Sequence, residues 1–235
     1  MTTYAPWPRM AEYLRRPMAT RDTSLVFGAF IIASWVAPLA SGWRVPLQAA
    51  IGTVGVGYVL WSIRRDQTSL KLIGLCFDNI VSSTLVFVPI TLVAVSPLLL
   101  SGANTEVVLN EGSLRLLDLG TSTALGFPWA FFQQFIVIAC FWRLIRGTLA
   151  PSFKLGREAR VAGLAAGLFG LTHAPNVALT ALVFAAEFLW LLAFARFRNL
   201  FALALAHAVA AVAVSNAVVP SSWLHSMRTG LNYWQ

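Results

Sequence analysis

Charged side chains are scarce in this sequence. They make up 11% of its 235 residues, where a soluble domain usually carries about 25%. The shortfall is too large to assign to a big core and argues against a soluble globular protein. Cysteine is nearly absent. Cys76 and Cys140 stand far apart and without ligand spacing, so neither a disulfide framework nor a zinc site can be read from them. Nor is there an internal repeat, a low-complexity tract or a boundary that would mark a second domain. The first 22 residues are polar, basic and punctuated by proline, unlike a signal peptide, so the first apolar helix is expected to act as the targeting signal.

What the chain does have is apolar length. Hydrophobic residues make up 58% of it, at a mean hydropathy of +0.72. They fall into runs near the roughly 20 residues that cross about 30 Å of hydrocarbon. Seven such runs are predicted as spanning helices, over 24–40, 45–63, 80–100, 124–145, 161–173, 177–195 and 200–219. A mixed segment, 64–79, is predicted as an interfacial helix. A polar loop with Glu106, Glu111 and Asp118 should join the third and fourth spans, and a basic linker over 146–160 the fourth and fifth. The expected fold is an all-α, polytopic transmembrane bundle forming one membrane domain over 1–235, with an N-terminal segment 1–23 and a C-terminal tail 220–235.

The net charge of +8 could suggest nucleic acid. The basic residues instead sit in short clusters between apolar runs, which favours membrane topology over a phosphate-binding face. With the N-terminus in the cytoplasm, 14 of the 17 Lys and Arg residues fall on the cytoplasmic side. Only Arg44, Arg115 and Arg228 fall outside. One missed span would invert every later loop, so the asymmetry supports seven spans independently of hydropathy. The setting this implies is a bacterial inner membrane, with the bilayer as the first partner and no nucleic acid.

Five polar residues interrupt the later spans: Gln133 and Gln134 in the fourth, His173 ending the fifth, Glu187 midway along the sixth, and His207 in the seventh. Each alone reads most simply as a hydrogen bond between helices, worth about 0.6–2 kcal/mol. Histidine is less often mere glue, because its proton exchanges near neutrality. Glu187 lies about 15 Å from either end of its helix. A carboxyl at that depth must be protonated, paired with an imidazole, or facing water. The simplest arrangement is a polar centre built by the last four spans, with the first three, which carry nothing comparable, as scaffold.

These residues resemble the CPBP family of CAAX prenyl endopeptidases and bacteriocin-processing proteins. Phe169-Gly170-Leu171-Thr172-His173 matches its Phe-x-x-x-His motif, and His207 opens the position of its His-x-x-x-Asn motif. One helix before Phe169, where the family carries Glu-Glu-x-x-x-Arg, stands Gln133-Gln134-Phe135-Ile136-Val137-Ile138. The resemblance covers 124–219. It implies an intramembrane endopeptidase in which a glutamate activates water while histidines orient it and stabilise the oxyanion. Here glutamines replace both glutamates, Ile138 the arginine and Ala211 the asparagine. An amide cannot take a proton at accessible pH, so neither glutamine is a general base; either could hold a water or donate to an oxyanion. Glu187 and Asn176 are the available substitutes, with Phe169 and Asn176 in binding roles. Cys140 as a nucleophile would sit about 10 Å deeper than Gln133, and buried cysteine commonly only packs.

Two functions compete. One is a CPBP-type endopeptidase with an altered catalytic set, acting on a membrane-associated or lipid-modified protein. The other is a pseudoprotease that uses the cavity to bind a membrane protein, lipid or partner subunit as an assembly factor. A transporter ranks third, since no inverted repeat or pair of broken helices is visible. No cofactor and no metal are expected.

Overall fold

A computed structural model describes residues 20–36, 39, 42–67, 69–102, 112–149 and 154–217. Among them the chain is all helical, with no strand, and seven long helices follow one another. They are α1 (Thr20–Ile31), α2 (Arg44–Arg65), α3 (Ile80–Gly102), α4 (Gly112–Ile136), α5 (Lys154–Leu171), α6 (Val177–Phe197) and α7 (Leu200–Ala217). A π-helical turn, Ile32–Val36, extends α1. A π-helical stretch, Val137–Trp142, carries α4 on into a last helical segment, Arg143–Thr148. Glu106, Glu111 and the segments 1–19 and 218–235 lie outside the described residues.

Three helical stretches are long and apolar enough to cross a membrane: Pro46–Arg65, Gly120–Thr148 and Val177–Phe197. Shorter apolar helices cover Ser24–Val36, Ile80–Ser96 and Leu200–Val214. The outer surface suits an apolar solvent. Val54, Val81, Leu85, Val93, Leu125 and Val177 are each 70% exposed or more, which water would penalise over so wide an apolar surface.

Three sequence expectations need correction. The segment 64–79 is not a continuous interfacial helix. α2 runs to Arg65, and only a 3₁₀ turn, Leu70–Ile73, follows, with Ile73 fully buried. The polar loop before the fourth span is shorter than expected, because α4 already begins at Gly112 and includes Asp118. The basic linker 146–160 is largely helical, since Arg143–Thr148 and Lys154–Leu171 enter it from both sides. Its long, unbranched Arg, Lys and Glu side chains are good helix formers, so helices continue past the point where hydropathy falls.

Small residues let the helices approach closely, as expected where lipid removes the hydrophobic drive between them. α7 packs against both α3 and α4 and buries Ala202, Ala204, Ala206, Ala208 and Ala210. α5 and α6 form a tight hairpin. A Cβ on Gly170 would stand 3.3 Å from the Thr180 carbonyl oxygen and 3.4 Å from the Phe184 Cβ. The segment after α2 clamps the corner between α6 and α7. Leu200 N donates to the Gly74 carbonyl at 2.8 Å. Asn199 Nδ2 donates to the Cys76 carbonyl at 2.9 Å and to Asn79 Oδ1 at 3.0 Å, while Asn199 Oδ1 caps α7 by accepting from Ala202 N at 2.9 Å. Asn79 Nδ2 in turn donates to the Phe197 carbonyl. This clamp fixes where the two helices bearing Glu187 and His207 start and stop.

Candidate functional site: a polar centre between α4, α6 and α7

Gln134 lies in the last turn of α4 before the helix widens into its π-helical stretch, a feature often found beside functional sites. Its side chain is fully buried. Gln134 Nε2 donates to Glu187 Oε2 at 2.7 Å and lies 2.8 Å from His207 Nδ1. The two amide hydrogens suffice for these two acceptors. Nδ1 of His207 therefore accepts, and the hydrogen of the neutral ring sits on Nε2. One amide from α4 thus holds a carboxyl from α6 and an imidazole from α7.

The oxygens of this group are less satisfied than its nitrogens. Gln134 Oε1 and Glu187 Oε1 are buried without a hydrogen-bond partner, a costly state for groups at no exposure. Gln134 has spent its donors, and these two oxygens remain as acceptors. Gln134 can hold a water through Oε1, but its N–H groups are committed and not free to stabilise an oxyanion.

Phe169 joins the second histidine to the centre. Its ring meets His173 edge-on at 5.2 Å between centroids and His207 edge-on at 5.8 Å. His173 Nδ1 lies 3.3 Å from the Phe169 carbonyl, which can only accept, and 3.1 Å from Thr172 Oγ1. The Thr172 hydroxyl donates to the same carbonyl at 2.6 Å. In the neutral ring Nδ1 of His173 then carries the hydrogen and Nε2 is bare. The two imidazoles hold opposite tautomers: His207 offers an N–H at Nε2, and His173 a lone pair.

Of the residues singled out from sequence, Gln134, Glu187 and His207 come together by direct hydrogen bonds, with His173 beyond Phe169. Gln133 is buried at 7% exposure but takes no part in that bonded group. Asn176 has a local task. Its Oδ1 accepts from Leu179 N at 3.1 Å and caps α6, where asparagine is a favoured residue. Cys140 is fully buried inside the π-helical stretch, so its seven-residue spacing from Gln133 no longer implies a shared face.

Sequence reasoning missed the contribution of the early helices. Trp190, one turn after Glu187 on α6, stacks on His207 with 5.5 Å between centroids. Its Nε1 donates to Thr91 Oγ1 on α3 at 2.9 Å. Trp35, in the π-helical turn after α1, donates from Nε1 to the Thr172 carbonyl at 2.8 Å. α1 and α3 are thus more than scaffold. A tryptophan or threonine in an apolar helix gives no functional signal by itself, although Trp190 at i+3 from Glu187 shares its face.

Among the described residues, no group of three or more His, Cys, Asp or Glu could hold a metal ion. In comparisons with known proteins, no family model, no curated protein and no solved structure matches the chain.

Proposed function

We propose that this chain is a CPBP-type intramembrane endopeptidase with a relocated carboxylate, acting on a membrane-associated or lipid-modified protein. In this reading it crosses a cytoplasmic membrane seven times with its N-terminus inside, as the basic residues favour. The observation that carries the proposal is the bridge from Gln134 to both Glu187 and His207. It joins a carboxyl and an imidazole, the two groups most used in acid–base catalysis, inside an apolar bundle. Glu187 replaces the glutamates that would stand at Gln133 and Gln134.

A water donating its hydrogens to Glu187 Oε1 and Gln134 Oε1 would keep its lone pairs for attack on a peptide carbonyl. Glu187 would take the water's proton and pass it to the departing amine, so that one C–N bond breaks as one C–O bond forms. His207, with its hydrogen on Nε2, is the available donor to the developing oxyanion.

The binding-protein reading draws on a different observation. Glu187 and Gln134 are both at 0% exposure, an enclosure that suits a structural or ligand-holding centre as well as a hydrolytic one.

The test compares new N-termini among membrane proteins of cells carrying the native chain, Glu187→Gln or Gln134→Leu. Cleavage products that vanish in Glu187→Gln, at unchanged protein level, support the endopeptidase. Products that persist remove it, and products absent from all three strains favour the binding protein.

A further inference from the structure

The feature that the proposed chemistry does not use is the chain of contacts behind His207. Three side chains meet its ring in defined geometry. Gln134 Nε2 meets Nδ1 at 2.8 Å, Phe169 meets it edge-on, and Trp190 lies nearly parallel to it, at 28°. Gln134 is tied onward to Glu187 on α6, and Trp190 is the one of the three tied to α3. Trp190, at 3% exposure, donates from Nε1 to Thr91 Oγ1, and the fully buried Thr91 hydroxyl donates to the Phe87 carbonyl at 2.8 Å.

An indole can swing about two torsions, and an imidazole stacked on it would follow. Anchoring the indole N–H removes that freedom. The anchor is directional: a threonine hydroxyl that donates to its own helix keeps a lone pair for one further donor. α3 supplies it, and α3 packs against α7, which carries His207, as well as against α6, which carries Trp190.

We propose that Trp190 and Thr91 are positioning residues for His207, and that α3, through them, sets the plane of the imidazole and keeps Nδ1 directed at Gln134. Glu187 and Trp190 are one turn apart on α6, so a single helix face supplies both the carboxyl and the platform for its imidazole partner. This inference rests on His207 belonging to the functional centre. It does not require the reaction to be proteolysis.

The test uses the full-length protein in lipid nanodiscs with ¹⁵N-labelled histidine. His207 is assigned by its loss in His207→Gln, which separates it from His173 and His225. In the native chain one His207 nitrogen should be hydrogen-bearing and the other bare. Thr91→Val keeps the shape and removes the anchor, and Trp190→Leu removes the platform. Each should replace the single tautomer by an exchanging pair, and Thr91→Ser should restore it. His207 signals unchanged in both Thr91→Val and Trp190→Leu would overturn the proposal. If Trp190→Leu does not fold, Thr91→Val against Thr91→Ser decides alone. Where processing is measurable, Thr91→Val should lower kcat by up to about 100-fold with KM unchanged, the scale of an ångström of misplacement. A native chain with the expected tautomer but no processing defeats the endopeptidase reading and leaves this one standing.

Discussion

Gln134 Nε2 sits 2.7 Å from Glu187 Oε2, and the two residues, 53 positions apart, are both wholly excluded from solvent. Removing one partner strands the other. Gln134→Leu should destabilise the protein by about 1–3 kcal/mol, the cost of a buried polar group left unpaired. Glu187→Leu should do the same. The double substitution should cost less than the sum by about 0.5–3 kcal/mol, the range for coupled neighbours. Denaturant unfolding in micelles of the four proteins measures this coupling. Strict additivity would mean that the bond contributes nothing.

Two glycines should respond in opposite directions to the same substitution. Gly74 has φ +81°, and a Cβ there would stand 2.8 Å from both Leu200 N and Phe194 Cε2. Gly74→Ala should cost at least about 1–3 kcal/mol from backbone conformation alone, with the clash added. Gly57, inside α2, has nothing within 4 Å of its notional Cβ, so Gly57→Ala should stabilise by about 0.5–1 kcal/mol. Thermal unfolding of both variants in one detergent checks the signs.

The two cysteines should differ in reactivity. Cys140 is fully buried, whereas Cys76 is partly exposed in the segment between α2 and α3. Burial, and to a smaller extent the charge of Asp78, push the Cys76 thiol above its ordinary range. Its thiolate is therefore rarer in the folded protein than in the unfolded chain at the same pH. Alkylation of the native protein should label Cys76 alone, slowly at neutral pH, with a rate that climbs only above the usual thiol range. The sign for stability follows: this thiol penalises the fold as pH rises past its unfolded value, because the unfolded chain releases its proton first. Mass spectrometry of peptides labelled across a pH series would refute this if Cys76 reacted fastest near pH 7.

The basic asymmetry makes a prediction about 220–235, which lies outside the described residues. If seven spans place 14 of the 17 basic residues on the cytoplasmic side, a reporter fused after Gln235 should read as non-cytoplasmic. A cytoplasmic readout would require a different number of spans.

The helices were legible where apolar length determined them. The runs beginning at residues 80, 177 and 200 start where α3, α6 and α7 start. Hydropathy failed where helices outlast their apolar core, as at Gly112 and Lys154, because helix propensity and ion pairs continue beyond it. Arg146 pairs with Glu158 at 2.7 Å across just such an extension. In the site, Gln134, Glu187 and His207 stood out because polar groups in apolar helices are costly. Trp190, Thr91 and Trp35 did not, since their hydrogen bonds depend on which helices meet. The π-helical stretch had no sequence signal, as no composition marks a shift from one hydrogen-bond register to another.

That stretch has a consequence for traffic through the molecule. Every residue from Val137 to Trp142 is buried, at 5% exposure or less, while Leu125 and Trp129 earlier in the same helix are exposed. α4 is therefore a wall at one end and an axle at the other, enclosed all round where its turn widens. Gln134 sits just ahead of that enclosed end. A molecule approaching from outside the bundle can touch α4 directly at Leu125 and Trp129. Along Val137–Trp142 it meets other helices first.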